Sequence, residues 1–211
     1  MICYDISKEV YRSGTMMKNS EVLTKEQILS ATEEAVRRFG VAKTSITDVA
    51  KALNVSHGTI YRHFKSKKEI FETATEKWLN EKIHKPLTDL FHDPSLGGAG
   101  HVKAYMKKLF ELKMHYAAED EELFAMYAKV TNESSELVDK SIEQIVMQLR
   151  KLITGCDVKS SDHTEAAKGI FYATERFHHP GHASEWKRDT IKQEFEIVWR
   201  LLENGFLKSN S

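Results

Sequence analysis

The chain is poor in the residues that staple, break or pleat a polypeptide. Cys3 and Cys156 are its only cysteines and lie far apart, so no disulfide framework is implied and a reducing compartment is the default. Only Pro86, Pro94 and Pro180 interrupt 211 residues, and no recurrent alternation of Val, Ile and Thr marks out strands. These two absences favour an all-helical chain. No apolar run approaches the length of a membrane span, and the opening MICYDISKEVYRS lacks a signal-peptide core; a cytoplasmic protein is expected. Also missing are a nucleophile beside a base, a Gly-rich phosphate loop and a carboxylate pair in a defined context, so neither an enzyme nor a cofactor is expected.

What is present begins with an uneven spread of charge. The net charge is zero, yet residues 21–85 carry 12 basic and 9 acidic side chains, whereas residues 86–211 carry 16 and 20. A mildly basic head on a mildly acidic body suits a DNA-binding domain joined to one that does not bind DNA. Within the head, Lys43 to Lys68 hold six Lys or Arg against Asp48 alone.

The same stretch reads as two short helices and a turn. Ile46, Val49, Ala50 and Leu53 give one helix a single apolar stripe, and Ile60 and Phe64 do so for the next, from His57 to Phe64. Between them, Asn54 tolerates left-handed backbone and ends a helix, and Ser56 caps its successor. The second helix then presents His57, Gly58, Thr59, Tyr61, Arg62 and His63 outward, a set of donors and bare backbone suited to phosphates and base edges. Thr44, Ser45 and Thr47 are expected to anchor the leading helix on phosphates. Lys67 and the helix start at Ser66 add a further phosphate contact.

On Ser45 to Ala50, Val55 to Phe64 and Lys65 to Ile70 the chain resembles the tetracycline-repressor (TetR/AcrR) family of bacterial transcriptional regulators. The shared pattern is S/T-x-x-D-V-A, then V-S-x-G-T-[IL]-Y-x-[HY]-F, then K-S-K-x-x-[LI]. One helix on either side extends the likeness from Lys25 to about Lys85. Two positions depart from it: Thr47 stands where many members carry a basic phosphate contact, and Asn54 where Gly is usual. The resemblance implies a homodimer reading a pseudo-palindromic operator, and a connecting helix that transmits change between body and head.

Taken in order, residues 1–20 form a weakly patterned extension and residues 21–66 the helix-turn-helix domain. Its first helix opens on the T-K-E-Q of Thr24 and closes at Gly40, with Ile28, Ala31, Ala35 and Phe39 on one stripe. Residues 67–85 form a connecting helix that Pro86 is expected to stop. Residues 86–211 form the effector-binding and dimerisation body, entered through a Pro- and Gly-rich loop at 86–100. Three helices follow, the second started by the acidic run around Asp120. A fourth is expected from about Thr164 to Phe177 and a fifth from Ser184 to Leu207.

Ala166, Gly169 and Ala173 line one side of that fourth helix and allow a close neighbour. Ile191, Phe195, Val198 and Leu202 make a stripe on the fifth that Ile197, Trp199 and Leu201 widen beyond one face, so a two-fold mate is expected to cover it. Tyr105, Leu109, Phe124, Tyr127, Ile142 and Phe171 are of the type that lines a cavity for a hydrophobic small-molecule effector, with Glu175 and Arg176 offering polar groups. His178, His179 and His182, in FHHPGH, tempt a metal-site reading. Adjacent histidines diverge, however, no cysteine lies near, and Pro180-Gly181 reads as a helix-ending turn, so no metal is assigned. The expected function is a DNA-binding regulator, a repressor released by a small-molecule effector. The alternative is a DNA-bound protein whose body recruits a protein partner with no small-molecule switch.

Overall fold

A computed structural model describes residues 23–207, so the extension at 1–20, Cys3 included, lies outside the described residues. Within them regular structure is helical, apart from an isolated bridge between Val158 and Leu207. Helix α1, Lys25–Phe39, starts as its sequence directs. The Gln27 amide donates to the Thr24 hydroxyl at 3.2 Å, and the Thr24 amide donates back to the Gln27 side chain at 2.9 Å, a capping box that satisfies two otherwise orphaned donors. Gly40 ends it at φ +78°, backbone that glycine adopts without a Cβ clash. Phe39 does not join the buried stripe: it is exposed, with the Arg38 guanidinium 5.1 Å above its ring.

Helices α2, Ile46–Ala52, and α3, His57–Tyr61, are shorter than their apolar spacing suggests. Between them Asn54 lies at φ +52°. Its amide bonds to the Lys51 carbonyl at 3.1 Å and that of Val55 to the Ala50 carbonyl at 3.0 Å, the paired bonds of a Schellman turn. That turn sets the angle between the two helices. Beyond Tyr61 the backbone tightens: Arg62 shares its N–H between Gly58 and Thr59, and His63 bonds only three residues back to Ile60. Phe64 therefore leaves the helix yet stays buried.

Helix α4, Lys67–Leu79, is capped by Ser66, whose hydroxyl accepts the Glu69 amide at 3.1 Å. Pro86 does not stop the chain's helical path. A wide π turn, Asn80–His84, leads directly into α5, Lys85–Phe91, and Pro86 falls in the first turn of α5, where its missing N–H has no helical partner to lose. The expected loop at 86–100 shrinks to residues 92–97.

The body comprises α6, Gly98–Glu119, α7, Glu121–Glu133, α8, Ser135–Thr154, α9, His163–Ala173, and α10, Ile191–Phe206. Asp120 caps α7 by accepting the Leu123 amide at 3.2 Å. Helix α9 stops before Phe177 because the Thr174 hydroxyl donates back to the Ile170 and Phe171 carbonyls and the chain tightens into a 3₁₀ turn at Glu175–Phe177. Helix α10 starts at Ile191 rather than Ser184. The preceding Pro180–Lys187 is 3₁₀, pinned by buried Trp186, whose indole N–H donates to the Arg176 carbonyl at 2.9 Å.

Two aromatic clusters hold the body. Phe110, Phe177, Phe195 and Trp199 join α6, the turn after α9 and α10. Trp78 of α4 packs against Tyr116, Phe124 and Tyr127. The Arg37 guanidinium reaches Asp120 at 2.8 Å, so the end of α1 is tied to the start of α7. No helix among the described residues is long and apolar enough to cross a membrane.

Candidate nucleic-acid interface and body cavity

The head places its polar residues on two sides of a small core. Ile60 and Phe64 are fully buried, which fixes the rotation of α3 and turns His57, Gly58, Tyr61 and Arg62 to solvent, with Thr59 and His63 half-buried beside them. Among the described residues the side chains of His57, Tyr61, Arg62 and His63 have no hydrogen-bond or ion-pair partner. Tyr61 is 50% exposed, its ring and hydroxyl open to solvent. A Cβ on Gly58 would meet only the Ser56 hydroxyl, at an ordinary 3.7 Å. Nothing inside the fold demands glycine there. The Thr59 hydroxyl lies 2.9 Å from that of Ser56, which also accepts the Thr59 amide.

Two of the other expected DNA contacts, Thr44 and Ser45, are engaged inside the fold. Thr44 is buried, and its hydroxyl donates to the carbonyls of Ala35 and Gly40, so it locks the α1–α2 corner instead of facing a phosphate. Ser45 caps α2: its hydroxyl donates to the Asp48 carboxylate at 2.6 Å and accepts the Asp48 amide. Those bonds hold the Asp48 carboxyl below the ordinary carboxylate range. Thr47 is half-buried with no such internal bond among the described residues. The Lys67 ammonium sits 5.0 Å over the Phe71 ring, with its stem half-buried.

In the body, a cavity of about 80 Å³ lies between α4, α6, α7, α8, α9 and the turn after α9. Leu109, Tyr127, Ile142, Phe171 and Glu175 line it, as expected. Tyr105 and Phe124 do not. Tyr105 is buried elsewhere, its hydroxyl donating to Gln148 at 2.6 Å, and Phe124 is engaged edge-to-face by the Trp78, Tyr127 and Trp186 rings. The wall also contains groups that spacing alone did not single out: Lys113, Ser141 and His178. Lys113 is buried, donates to the Tyr127 hydroxyl at 2.6 Å, and lies 3.8 Å from the Tyr127 ring centre and 5.8 Å from that of Trp78. Burial brings its amine down to about 7. Burial likewise lowers His178 to about 3 and His84, bonded to Ser141 at 2.9 Å, to about 4.

The three histidines of FHHPGH have separate occupations. His178 packs under Phe171 with Nε2 3.1 Å from that residue's carbonyl oxygen. His179 caps the next turn by accepting the Gly181 amide, and His182 pairs with Glu185 at 2.7 Å. Arg176, a candidate polar contact for an effector, instead bridges Glu185 and Glu194.

On the expected dimer surface, Ile191, Phe195 and Trp199 are buried within their own chain. Phe195 stacks on Phe110 at 5.6 Å. They fasten α10 to the body and leave no surface for a mate. The stripe that stays open runs through Ile197 and Leu201, 50% and 71% exposed, flanked by half-buried Val198 and Leu202. On α9, Gly169 and Ala173 are exposed beside Tyr172, with Ala166 half-buried.

Comparison with known proteins agrees with this arrangement. Residues 28–74 match the family model of bacterial regulatory proteins of the tetR family, and residues 100–199 that of the tetracyclin repressor-like C-terminal domain. The chain is 26% identical over 129 residues to the uncharacterized HTH-type transcriptional regulator YhgD of Bacillus subtilis (strain 168), covering 61% of this chain and 62% of that protein. It is 35% identical over 83 residues to the probable acrEF/envCD operon repressor of Escherichia coli (strain K12), 36% of each. The chain thus spans less than two thirds of the length of either relative. The crystal structure of the transcriptional regulator FadR from Bacillus subtilis, in complex with stearoyl-CoA, shares the fold with a TM-score of 0.60 at 19% identity, over 86% of this chain and 99% of that one. Matched in head and body by separate models of one family, and in fold along most of its length, this chain belongs to the tetR family of bacterial regulatory proteins.

Proposed function

We propose that the protein is a cytoplasmic, homodimeric transcriptional repressor whose heads grip a pseudo-palindromic operator and whose body cavity takes a small-molecule effector that releases it. One observation carries the reading: α3 is held by buried Ile60 and Phe64 while its opposite side, His57, Gly58, Tyr61 and Arg62, is exposed and unpaired among the described residues. Such a side fits the major groove, with Thr59 and His63 at its margin and Thr47 and Lys67 as flanking phosphate contacts. The outward stripes of α9 and α10 supply the two-fold contact that sets the spacing of the two heads. A relative described as an operon repressor and a fold neighbour solved with an acyl-CoA support a DNA-binding, ligand-responsive part.

The cavity favours a small-molecule switch over recruitment of a protein partner. Leu79 of α4 lines it and Trp78 lies beside its lysine. Eight to nine residues earlier, Ile70 and Phe71 of the same helix are buried, next in sequence to the α3 segment. A ligand that displaces Leu79 therefore tilts the rod on which the head is mounted and shifts the population away from DNA-competent spacing.

The test begins by selecting duplexes from a random pool with the full chain. Affinity for the selected duplex is then measured with Tyr61→Ala and Thr59→Ala. Each lost contact is expected to weaken binding about 5- to 150-fold, the range of about 1–3 kcal/mol per specific contact. Unchanged affinity in both variants defeats the assignment of this face. For the cavity, Ile142→Trp fills the void and is expected to lower duplex affinity with no ligand present; an unchanged affinity in a folded variant removes the cavity from the switch.

A further inference from the structure

We infer that the effector is a compact organic acid, its carboxylate received by the Lys113 ammonium and its short apolar body by Leu109, Ile142, Ile145 and Phe171. This inference rests on the cavity reading above and names the chemistry of that same site.

Three features of the wall carry it. First, Lys113 is a buried amine with three donor positions and a single acceptor, the Tyr127 hydroxyl. Among the described residues no carboxylate lies within ion-pair distance of it. Buried cations are ordinarily paired, because an isolated one forfeits its hydration with nothing in return. Second, the other titratable groups at the cavity add no compensating negative charge in its interior. His178 lies in the wall, and His84 stands behind Ser141. Glu175 is at the exposed rim, with His179 beside it in the lining. The interior is thus biased to receive negative charge. Third, the Thr131 and Ser141 hydroxyls in the lining are engaged by the Tyr127 carbonyl and His84, the rest of the wall is aliphatic or aromatic, and the void of about 80 Å³ holds only a few heavy atoms, far below the range of about 300–1,000 Å³ typical of drug-sized ligands. A short monoacid fits that combination. A bare phosphate wastes the apolar wall, and a cation meets like charge.

The geometry also says what binding does. The lysine now rests against the Tyr127 and Trp78 rings. A carboxylate drawing it into the void loosens its contact with Trp78, a residue of α4.

The experiment measures binding of sodium butyrate and sodium benzoate, their amides butyramide and benzamide, and sodium phosphate, by thermal shift and calorimetry on the full chain. The proteins are wild type, Lys113→Met and Tyr127→Phe, each checked for helical content. In wild type the acids are expected to bind at least tenfold more tightly than their amides, and phosphate not at all. Lys113→Met is expected to abolish that preference while amides still bind. Tyr127→Phe, which keeps the amine, is expected to preserve it. Equal affinity for acids and amides, a preference that survives Lys113→Met, or a response to phosphate matching that to the acids overturns the assignment. So does a wild type that binds neither acid. If amides bind as tightly as the acids and release the selected duplex, the effector cavity stands while the acid assignment falls. If acids bind through Lys113 without releasing duplex, the acid site stands and the switch reading falls.

Discussion

Replacing Lys113 by Met, together with Tyr127→Phe, is expected to make the protein more stable, and most so in mildly acidic solution. The amine lies in a buried aromatic and aliphatic setting that brings it from 10.5 to about 7. Each tenfold change in proton affinity is worth about 1.4 kcal/mol, so keeping this amine cationic inside the body costs on the order of 5 kcal/mol. The second substitution is needed because the Tyr127 hydroxyl receives its hydrogen bond from Lys113, and leaving that oxygen buried and unpaired costs about 1–3 kcal/mol. Methionine fills nearly the same volume and adapts to irregular space. The sign with pH follows from proton counting. Below pH 7 folded and unfolded chains both hold the proton, and the wild type carries the full burial cost. Between pH 7 and 10.5 the unfolded chain holds it and the folded chain does not, so wild-type stability rises with pH. The advantage of the double variant should therefore be largest at pH 6.5 and shrink by about 3 kcal/mol on going to pH 9.5. For a chain of this length, Tm at pH 6.5 should rise by roughly 5–15 °C, measured at one protein concentration because dimerisation shifts Tm. A variant no more stable at pH 6.5, or an advantage that does not narrow with pH, refutes the reasoning.

Thr44→Val should lower stability by about 1–2 kcal/mol in chemical unfolding, since its hydroxyl serves two carbonyls at the α1–α2 corner. The salt dependence of duplex affinity should stay the same, whereas Arg62→Ala should reduce that slope by about one. Asn54→Val should cost about 1–2 kcal/mol, because a β-branched residue resists φ +52°; a variant as stable as wild type contradicts the left-handed turn. His84 and His178 are held neutral by burial, to about 4 and about 3. The unfolded chain therefore takes up protons below pH 6.5 that the folded chain refuses, and stability should fall from pH 6.5 toward 3. Acid unfolding of the His84→Gln and His178→Gln double variant should begin at lower pH, and an unshifted midpoint counts against the assignment. Leu201→Glu should convert the dimer to monomer in sedimentation, since that side chain is 71% exposed.

How much of this was legible before the structure depends on the range of the interactions involved. Caps and turns are made by residues within four positions of one another, and Thr24 with Gln27, Asn54 and Gly40 behave as their local chemistry dictates, while Ser45, expected on a phosphate, caps α2 through Asp48. Pro86 misled because its cost depends on whether its N–H is needed, and a π turn just before it removes the need. Periodicity states that a side chain is buried without stating against what. Tyr127 and Phe124 lie three apart on one face of α7, and tertiary packing alone sends one to the cavity and the other to the Trp186 ring. Ile191, Phe195 and Trp199 failed for the same reason: an apolar stripe is satisfied by a chain's own core as readily as by a second chain. Lys113 was nevertheless visible. It continues the series Tyr105, Leu109 at four-residue spacing, so a lysine stood where the stripe of α6 required an apolar residue.

That misplaced lysine bears on how a signal could cross from body to head. Helix α4 contributes Ile70 and Phe71 to the buried core at one end and Trp78 and Leu79 at the other, and the π turn begins at the very next residue. An α-helix of 13 residues is stiff along its length. A π turn is its soft point, because one extra residue is held by a poorer hydrogen-bond pattern. Motion imposed at Trp78 and Leu79 is therefore carried toward Ser66 as a tilt, while the π turn absorbs the strain on the body side. The Arg37–Asp120 ion pair supplies the opposing constraint, fastening α1 to α7. On the proposed switch, the head would turn about that fastening, and a displacement beside Lys113 would change the direction faced by Tyr61 and Arg62.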